Sequence, residues 1–377
     1  MLFKNAYIFT EAGMFLRGSF RVENGRFTEV LSCVPEETGV DLGGQYVIPG
    51  LVDLHIHGAM GADISDGQND GLAAMAGYLA RNGVTSFAPA SMSLPYELLE
   101  RAFSAARRFA ECLPVSCSRL MGVHMEGPFF SARRKGAQNG TYLREPDFPA
   151  FQKLYESCGG LIRIVDVAPE LSGAEEFIRQ AAKLCVVSVA HTDADYEEAA
   201  IAFAAGATHL THLYNTMPPI HHRSPGVIGA ASERETVVAE LICDGKHVHP
   251  SAVRMAFRLF PGRICLVSDA LRCCGMPDGR YALGGQEVVL RDGAARLTDG
   301  TLAGSATNLY DCMRKAVAFG IPREQAILAA TRIPAEQLGR GGEIGSIAPG
   351  KRADFIVCTE DLTRKAVYLG GSALCES

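Results

Sequence analysis

The chain has 377 residues, 47% of them hydrophobic, and a formal charge of -6 with acidic and basic residues intermixed. That length suits one large domain plus a smaller one, and the charge excludes the basic footprint of a nucleic-acid binder. Twelve scattered cysteines without a C-x-x-C pair, an N-terminus without a signal-peptide h-region, and no apolar run of about 18 residues together exclude a disulfide framework and a membrane span; a soluble cytoplasmic protein with reduced thiols is expected.

Residues 1–48 alternate polar and apolar side chains and carry a turn at Asn24-Gly25, which predicts small antiparallel strands. From residue 50 short β-rich runs alternate with helical patterns. Strands are predicted over 51–57, 84–88, 119–124, 162–168, 185–190, 207–212, 237–243 and 263–268. Helices are predicted over 70–82, 97–111, 174–184, 194–205 and 250–260. Eight strands with interposed helices predict an α/β fold, a (β/α)8 TIM-type barrel. No G-x-G-x-x-G turn follows the first strand, as a dinucleotide-binding sheet would want. Residues 280–301 read as a β-hairpin inserted after the eighth strand. Residues 344–369 return to strand grammar around Pro349-Gly350. The expected division is therefore a small β-sandwich domain from 1–48 plus 344–377, and a barrel over 49–343.

The polar residues collect at the ends of the predicted strands. His55 and His57, two apart in an apolar run, face the same way in a strand and can share one metal ion. Glu126 follows the third strand, His191 the fifth, His212 the sixth and Asp269 the eighth. Catalytic groups of barrels gather at these C-terminal ends, and imidazole with carboxylate suits zinc, iron, manganese or cobalt. His124 shares a face with Glu126 one layer deeper, and His209, three residues before His212, is expected to point outward. His221, His222 and Arg223 follow Pro218-Pro219 on a loop, where a solvated basic turn competes with a site as the reading; His247 and His249 follow the seventh strand.

The runs PGLVDLHIHG, HMEGPFFSARRKGAQ, VAHTDAD, THLYNTMPPIHHRSPGVIGAA, CDGKHVHP, VSDA and LAGSATNL make the chain resemble the N-acetylglucosamine-6-phosphate deacetylases of the amidohydrolase superfamily over essentially its whole length. The resemblance implies metal ligands at Glu126, His191 and His212, with His55 and His57 matching a further pair kept by members that hold two ions instead of one. Zinc is the first expectation for the divalent ion. The resemblance also implies Asp269 as acid/base. It implies sugar-phosphate contacts from Ala137, Gln138, Asn215, Thr216, Arg223 and His247, and a pocket loop at Leu302, Ala303 and Gly304. The family arginine reaches the phosphate from a neighbouring subunit, so Arg223 implies a homodimer. Two positions depart from the family pattern: Gln138 stands where histidine is usual and Thr216 where alanine is usual. Both touch the sugar, so N-acetylgalactosamine 6-phosphate stands beside N-acetylglucosamine 6-phosphate as substrate.

The chemistry expected of such residues is amide hydrolysis. A divalent cation bound by Glu and His lowers the pKa of water towards about 7, and the hydroxide attacks the acetamide carbonyl. Asp269, the strand-end carboxylate without another expected role, takes the proton and hands it to the departing amine. Arginine offers planar, bidentate donors for the phosphate, with Arg223 and His247 the candidates. A cyclic amidase, the nearest rival, commonly bridges two metals with a carboxylated lysine, and no lysine ends a strand here. A base deaminase, a catalytically silent sugar-phosphate sensor and a purely structural barrel, which would leave the strand-end cluster unexplained, are the remaining rivals.

Overall fold

A computed structural model describes residues 1–112 and 116–374; the last three residues of the predicted 344–377 segment lie outside it. Eight parallel positions form the predicted barrel: Leu51–Ile56, Val84–Pro89, a third strand split into Arg119–Leu120 and Val123–Met125, then Ile162–Val167, Val186–Val189, His209–Leu210, Val238–Ile242 and Ile264–Val267. The ladder is continuous from Val123–Met125 round to Ile264–Val267, while the first strand pairs with the second and the second with Arg119–Leu120. Backbone hydrogen bonds close the seams: Ser91 N–H donates to the His124 carbonyl at 2.9 Å, and Asp269 N–H to the His55 carbonyl at 2.9 Å. The result is a distorted (β/α)8 barrel.

The helices wrap it as amphipathic staves. Tyr196–Ala205 shows how local sequence sets a boundary. Asp195 accepts from the Glu198 N–H and the Glu198 side chain accepts from the Asp195 N–H, a reciprocal cap that starts the helix two residues after the predicted 194. The short helix Arg332–Gln337 stops the barrel floor. Its Ile333 and Ala335 join Val52, Leu54, Ile164, Ile242, Cys265 and Val267 in one buried cluster.

Residues from both termini build one seven-stranded sheet, in the order Ser372–Ala373, Arg364–Leu369, Phe355–Cys358, Val40–Pro49, Leu2–Phe9, Phe15–Glu23, Arg26–Leu31. The sheet folds over until distant strands meet as a sandwich: Phe27 N–H donates to the Lys351 carbonyl at 2.9 Å, and Gly350 N–H to the Phe27 carbonyl at 2.7 Å. Inside, Phe3, Phe20, Phe27 and Phe355 are buried, with Phe3 and Phe20 stacked at 5.0 Å between centroids. Only Gly50 separates Val40–Pro49 from the first barrel strand. A side chain is impossible there, because a Cβ would lie 2.2 Å from Thr85 Oγ1.

The predicted hairpin is larger than expected. Gly279–Leu283, Gln286–Arg291, Ala294–Leu297 and Leu302–Ser305 form a four-stranded antiparallel sheet, turning at Gly284-Gly285 and Asp292-Gly293. Its last strand follows the Asp299-Gly300 turn and carries the LAGS residues back to the barrel mouth. Among the described residues no helix is long and apolar enough to cross a membrane, and no disulfide joins the cysteines.

Candidate active site

Strand alternation alone would not bring His55 inside. Leu54 already packs within the barrel cluster, so the next residue should face out. A register irregularity between Asp53 and Ile56 adds a residue to the strand and turns it. His55 then reaches Glu240 across the barrel at 2.8 Å. Three other strand-end residues sit in left-handed backbone, His191 (φ 44), His212 (φ 31) and Asp269 (φ 47). Such conformations cost a side-chain-bearing residue about 1–2 kcal/mol each. Here they aim three functional side chains at one centre.

That centre is Glu126. Its Oε1 lies 3.1 Å from His191 Nε2 and 3.3 Å from His212 Nε2, and the two imidazole nitrogens are 3.0 Å apart. Its Oε2 lies 3.3 Å from His57 Nε2, which is 3.2 Å from Asp269 Oδ1. His55 Nε2 stands behind, 3.7 Å from Glu126 and 3.6 Å from Asp269. Two ligand groups result, Glu126/His191/His212 and His55/His57/Glu126, sharing the carboxylate.

The hydrogen bonds around the rings test whether an ion fits. Nδ1 of His55 donates to Glu240 at 2.8 Å, that of His57 to the Ala90 carbonyl at 3.0 Å, and that of His191 to the Arg134 carbonyl at 3.0 Å. A ring that donates through Nδ1 presents a lone pair at Nε2. All three lone pairs face carboxylate oxygens, and His55 Nε2 is buried with no hydrogen-bond partner among the described residues. Lone pairs set against a carboxylate repel unless positive charge lies between, so the donor set fits a divalent cation.

The electrostatics agree. Burial favours the neutral ring of His57, yet Asp269 and Glu126 override it and raise the group to about 10. His212 rises to about 9, again against burial, through Glu126. Burial alone would lift the Glu126 carboxyl, but His191, His212, His57 and His55 hold it well below the usual range. Asp269 is likewise lowered against its burial, by His57 and His55. The carboxylates stay ionised, and the charge that draws a proton onto these rings is the charge a divalent cation would neutralise in the proton's place.

Above them opens a cavity of about 670 Å³, mouth included. Of the residues singled out for substrate contact, Ala137, Gln138, Asn215, Thr216, His247, Leu302, Ala303 and Gly304 line it, and Arg223 does not. Arg223 lies on the exposed loop with its Nη1 2.8 Å from His222 Nε2. Among the described residues no lysine or arginine lines the cavity. His247 is held by Asp244 Oδ2 at 2.8 Å and the Ala303 carbonyl at 2.9 Å. Acceptors face both of its nitrogens, and Asp244 raises its pKa against burial.

Gln138 reaches the cavity wall with both polar ends engaged. Ser93 N–H donates to its Oε1 at 2.7 Å, and its Nε2 donates to Glu126 Oε2 at 2.9 Å. One neighbour can only donate and the other only accept, which fixes the amide orientation. Met92, Leu271, Leu283 and Thr301 also line the cavity. Their positions carry no sequence pattern that marks them. Phe130 is stacked on His191 at 4.3 Å, a contact foreshadowed only by the EGPFF run.

Two deeper histidines complete the picture. His124 lies below the site as expected, donating to Asp166 at 2.8 Å and to the Leu54 carbonyl at 3.2 Å. Its two nitrogens are spent on these acceptors, which leaves no lone pair for an ion, and Asp166 and Glu240 raise it to about 9 despite burial. His209 does not point outward. It is fully buried inside the barrel between Glu240 Oε1 at 3.1 Å and Gln337 Oε1 at 3.0 Å. The strand His209–Leu210 is only two residues long, so the chain leaves strand geometry before His212 and the spacing argument fails.

The model of the amidohydrolase family matches residues 46–374. The chain is 37% identical over 371 residues to the N-acetylglucosamine-6-phosphate deacetylase of Bacillus subtilis, covering 96% of this chain and 93% of that one. It is 34% identical to the N-acetylgalactosamine-6-phosphate deacetylase of Escherichia coli O157:H7, covering 97% and 96%. Among solved structures, a point mutant of the Mycobacterium smegmatis N-acetyl-D-glucosamine-6-phosphate deacetylase, in complex with N-acetyl-D-glucosamine 6-phosphate, superposes with a TM-score of 0.94 at 32% identity, covering 100% of this chain and 99% of that one.

Proposed function

Because the chain belongs to the N-acetylglucosamine-6-phosphate deacetylase family of the amidohydrolases, we propose that it hydrolyses the acetamide of N-acetylglucosamine 6-phosphate to acetate and glucosamine 6-phosphate. The observation that carries this reading is the convergence of Glu126, His191 and His212 within 3.3 Å, beside Asp269, on the floor of a sugar-sized cavity.

Glu126, His191 and His212 would hold one divalent ion, with zinc proposed, and His55 and His57 with Glu126 would hold a second. A bound ion supplies Lewis acidity, lowering the pKa of water towards about 7 and polarising the acetamide carbonyl. The protein's own part is proton traffic. Asp269, kept ionised by His57, accepts the proton of the attacking water as the carbon–oxygen bond forms. It returns that proton to the nitrogen as the carbon–nitrogen bond breaks, so that a neutral amine departs. Asn215, Thr216, His247 and the Leu302–Gly304 backbone hold the sugar. The cavity has no arginine or lysine of its own among the described residues, which supports a homodimer in which Arg223 of a second copy meets the phosphate. In the same reading residues 1–48 with 344–377 form a small β domain on a 49–343 barrel, and the protein works in the cytoplasm.

The test is acetate release from both N-acetylhexosamine 6-phosphates, before and after chelation. Turnover favouring the glucosamine compound, lost with chelator and restored by zinc, is expected. Preference for the galactosamine compound would reassign the sugar, and no turnover with any divalent ion would reject the reaction.

A further inference from the structure

The mechanism leaves unused a buried carboxylate in the seventh strand, Glu240, which is fully buried. Four groups converge on it. His55 Nδ1 and the His212 N–H reach its Oε2 at 2.8 and 3.1 Å; His209 Nε2 reaches its Oε1 at 3.1 Å, with His124 Nδ1 3.7 Å away. His57 and His191 donate Nδ1 to backbone carbonyls, whereas His55 donates to a charged oxygen. We propose that Glu240 is a positioning residue that locks the His55 ring with its Nε2 lone pair facing Glu126 and Asp269, and so creates the second cation position.

His55, His124 and Glu240 could instead be read as a cation site in their own right. The hydrogen bonds argue otherwise. His124 spends Nε2 on Asp166 and Nδ1 on the Leu54 carbonyl, and His55 spends Nδ1 on Glu240. No lone pair of either ring faces the Glu240 carboxylate. The one buried ring nitrogen of His55 without a partner, Nε2, points the other way. Glu240 therefore acts through His55, and its backbone bond to His212 ties it to the other ligand group as well. Outer partners of this kind typically change metal affinity about 10–100-fold when removed.

This inference rests on the reading of Glu126 as a shared ligand of two ions. The experiment compares Glu240→Met and Glu240→Gln with His57→Ala, counting zinc per chain by elemental analysis and titrating against a competing chelator. Nitrogen-15 shifts of the imidazoles report the His55 tautomer. The native chain should bind two ions, and His57→Ala one. Glu240→Met should keep the Glu126/His191/His212 ion, which shows the barrel is intact, and lose affinity for the other about 10–100-fold as Nδ1 protonation of His55 is lost. Glu240→Gln keeps the volume and one acceptor oxygen and should show a smaller loss, which serves if the methionine variant does not fold. Native affinity for both ions in Glu240→Met and Glu240→Gln, with His57→Ala down to one, overturns the role of Glu240 alone. An unchanged count in His57→Ala overturns the two-ion reading and this inference with it.

Discussion

The barrel holds two stacked layers of buried histidines and carboxylates, and they differ in how their hydrogen bonds are matched. In the lower layer each ring nitrogen of His124 and His209 faces an acceptor: Asp166, the Leu54 carbonyl, Glu240 or Gln337. In the upper layer the Nε2 atoms of His55, His57, His191 and His212 crowd one carboxylate and each other, at separations from 3.0 to 3.7 Å. The residue types are the same. A matched network is structural, while a centre of lone pairs and negative charge calls for a cation. Counting histidines would not separate the two; following their protons does.

The comparison can be broken most severely at the upper layer. Glu126→Gln exchanges the shared charge for an amide and should abolish both ion binding and turnover, as chelation should; elemental analysis with an acetate-release assay checks this. Asp269→Asn should keep the ion and lower kcat by about 10²–10⁴-fold, the usual share of general acid–base catalysis. An ion-loaded variant with near-native kcat would remove Asp269 from the proton path.

Smaller effects sharpen the contrast. Arg223→Ala should raise KM for the phosphorylated sugar about 10–100-fold, the loss of charge-assisted bonds worth about 1.5–3 kcal/mol. The unphosphorylated sugar should be spared, and equal losses on both would reject phosphate contact. In the lower layer, Asp166→Leu strands the charged His124 and should cost about 3–5 kcal/mol of stability. Its effect on the kcat of the folded protein should be the smallest of the four. Urea unfolding monitored beside steady-state kinetics separates the two readouts.

Much of this is legible in the residues. Apolar runs of strand length, most of them running into His, Glu or Asp, announce a barrel with polar groups at its rim, and Glu126, His191, His212 and Asp269 do meet there. What stays hidden depends on backbone detail. The inward turn of His55 comes from a bulge that no residue type marks. His209 escapes the alternation rule because its strand is too short for alternation to hold. The four strands of Gly279–Ser305 read as two because polar turns interrupt them. Glu240 and Asp166 do leave a trace, each the lone acid inside a largely apolar strand, in VVAELIC and IRIVDVA. A charge so placed must find a partner across the barrel, and that inference needs no coordinates.

The single glycine between Pro49 and Leu51 makes the terminal sheet and the first barrel strand one continuous rod. His55 and His57 ride on that rod, whereas Glu126, His191 and His212 follow the third, fifth and sixth strands. Loosening the sheet, by heat or by trimming its edge, should therefore disturb the His55/His57 pair before the Glu126/His191/His212 group.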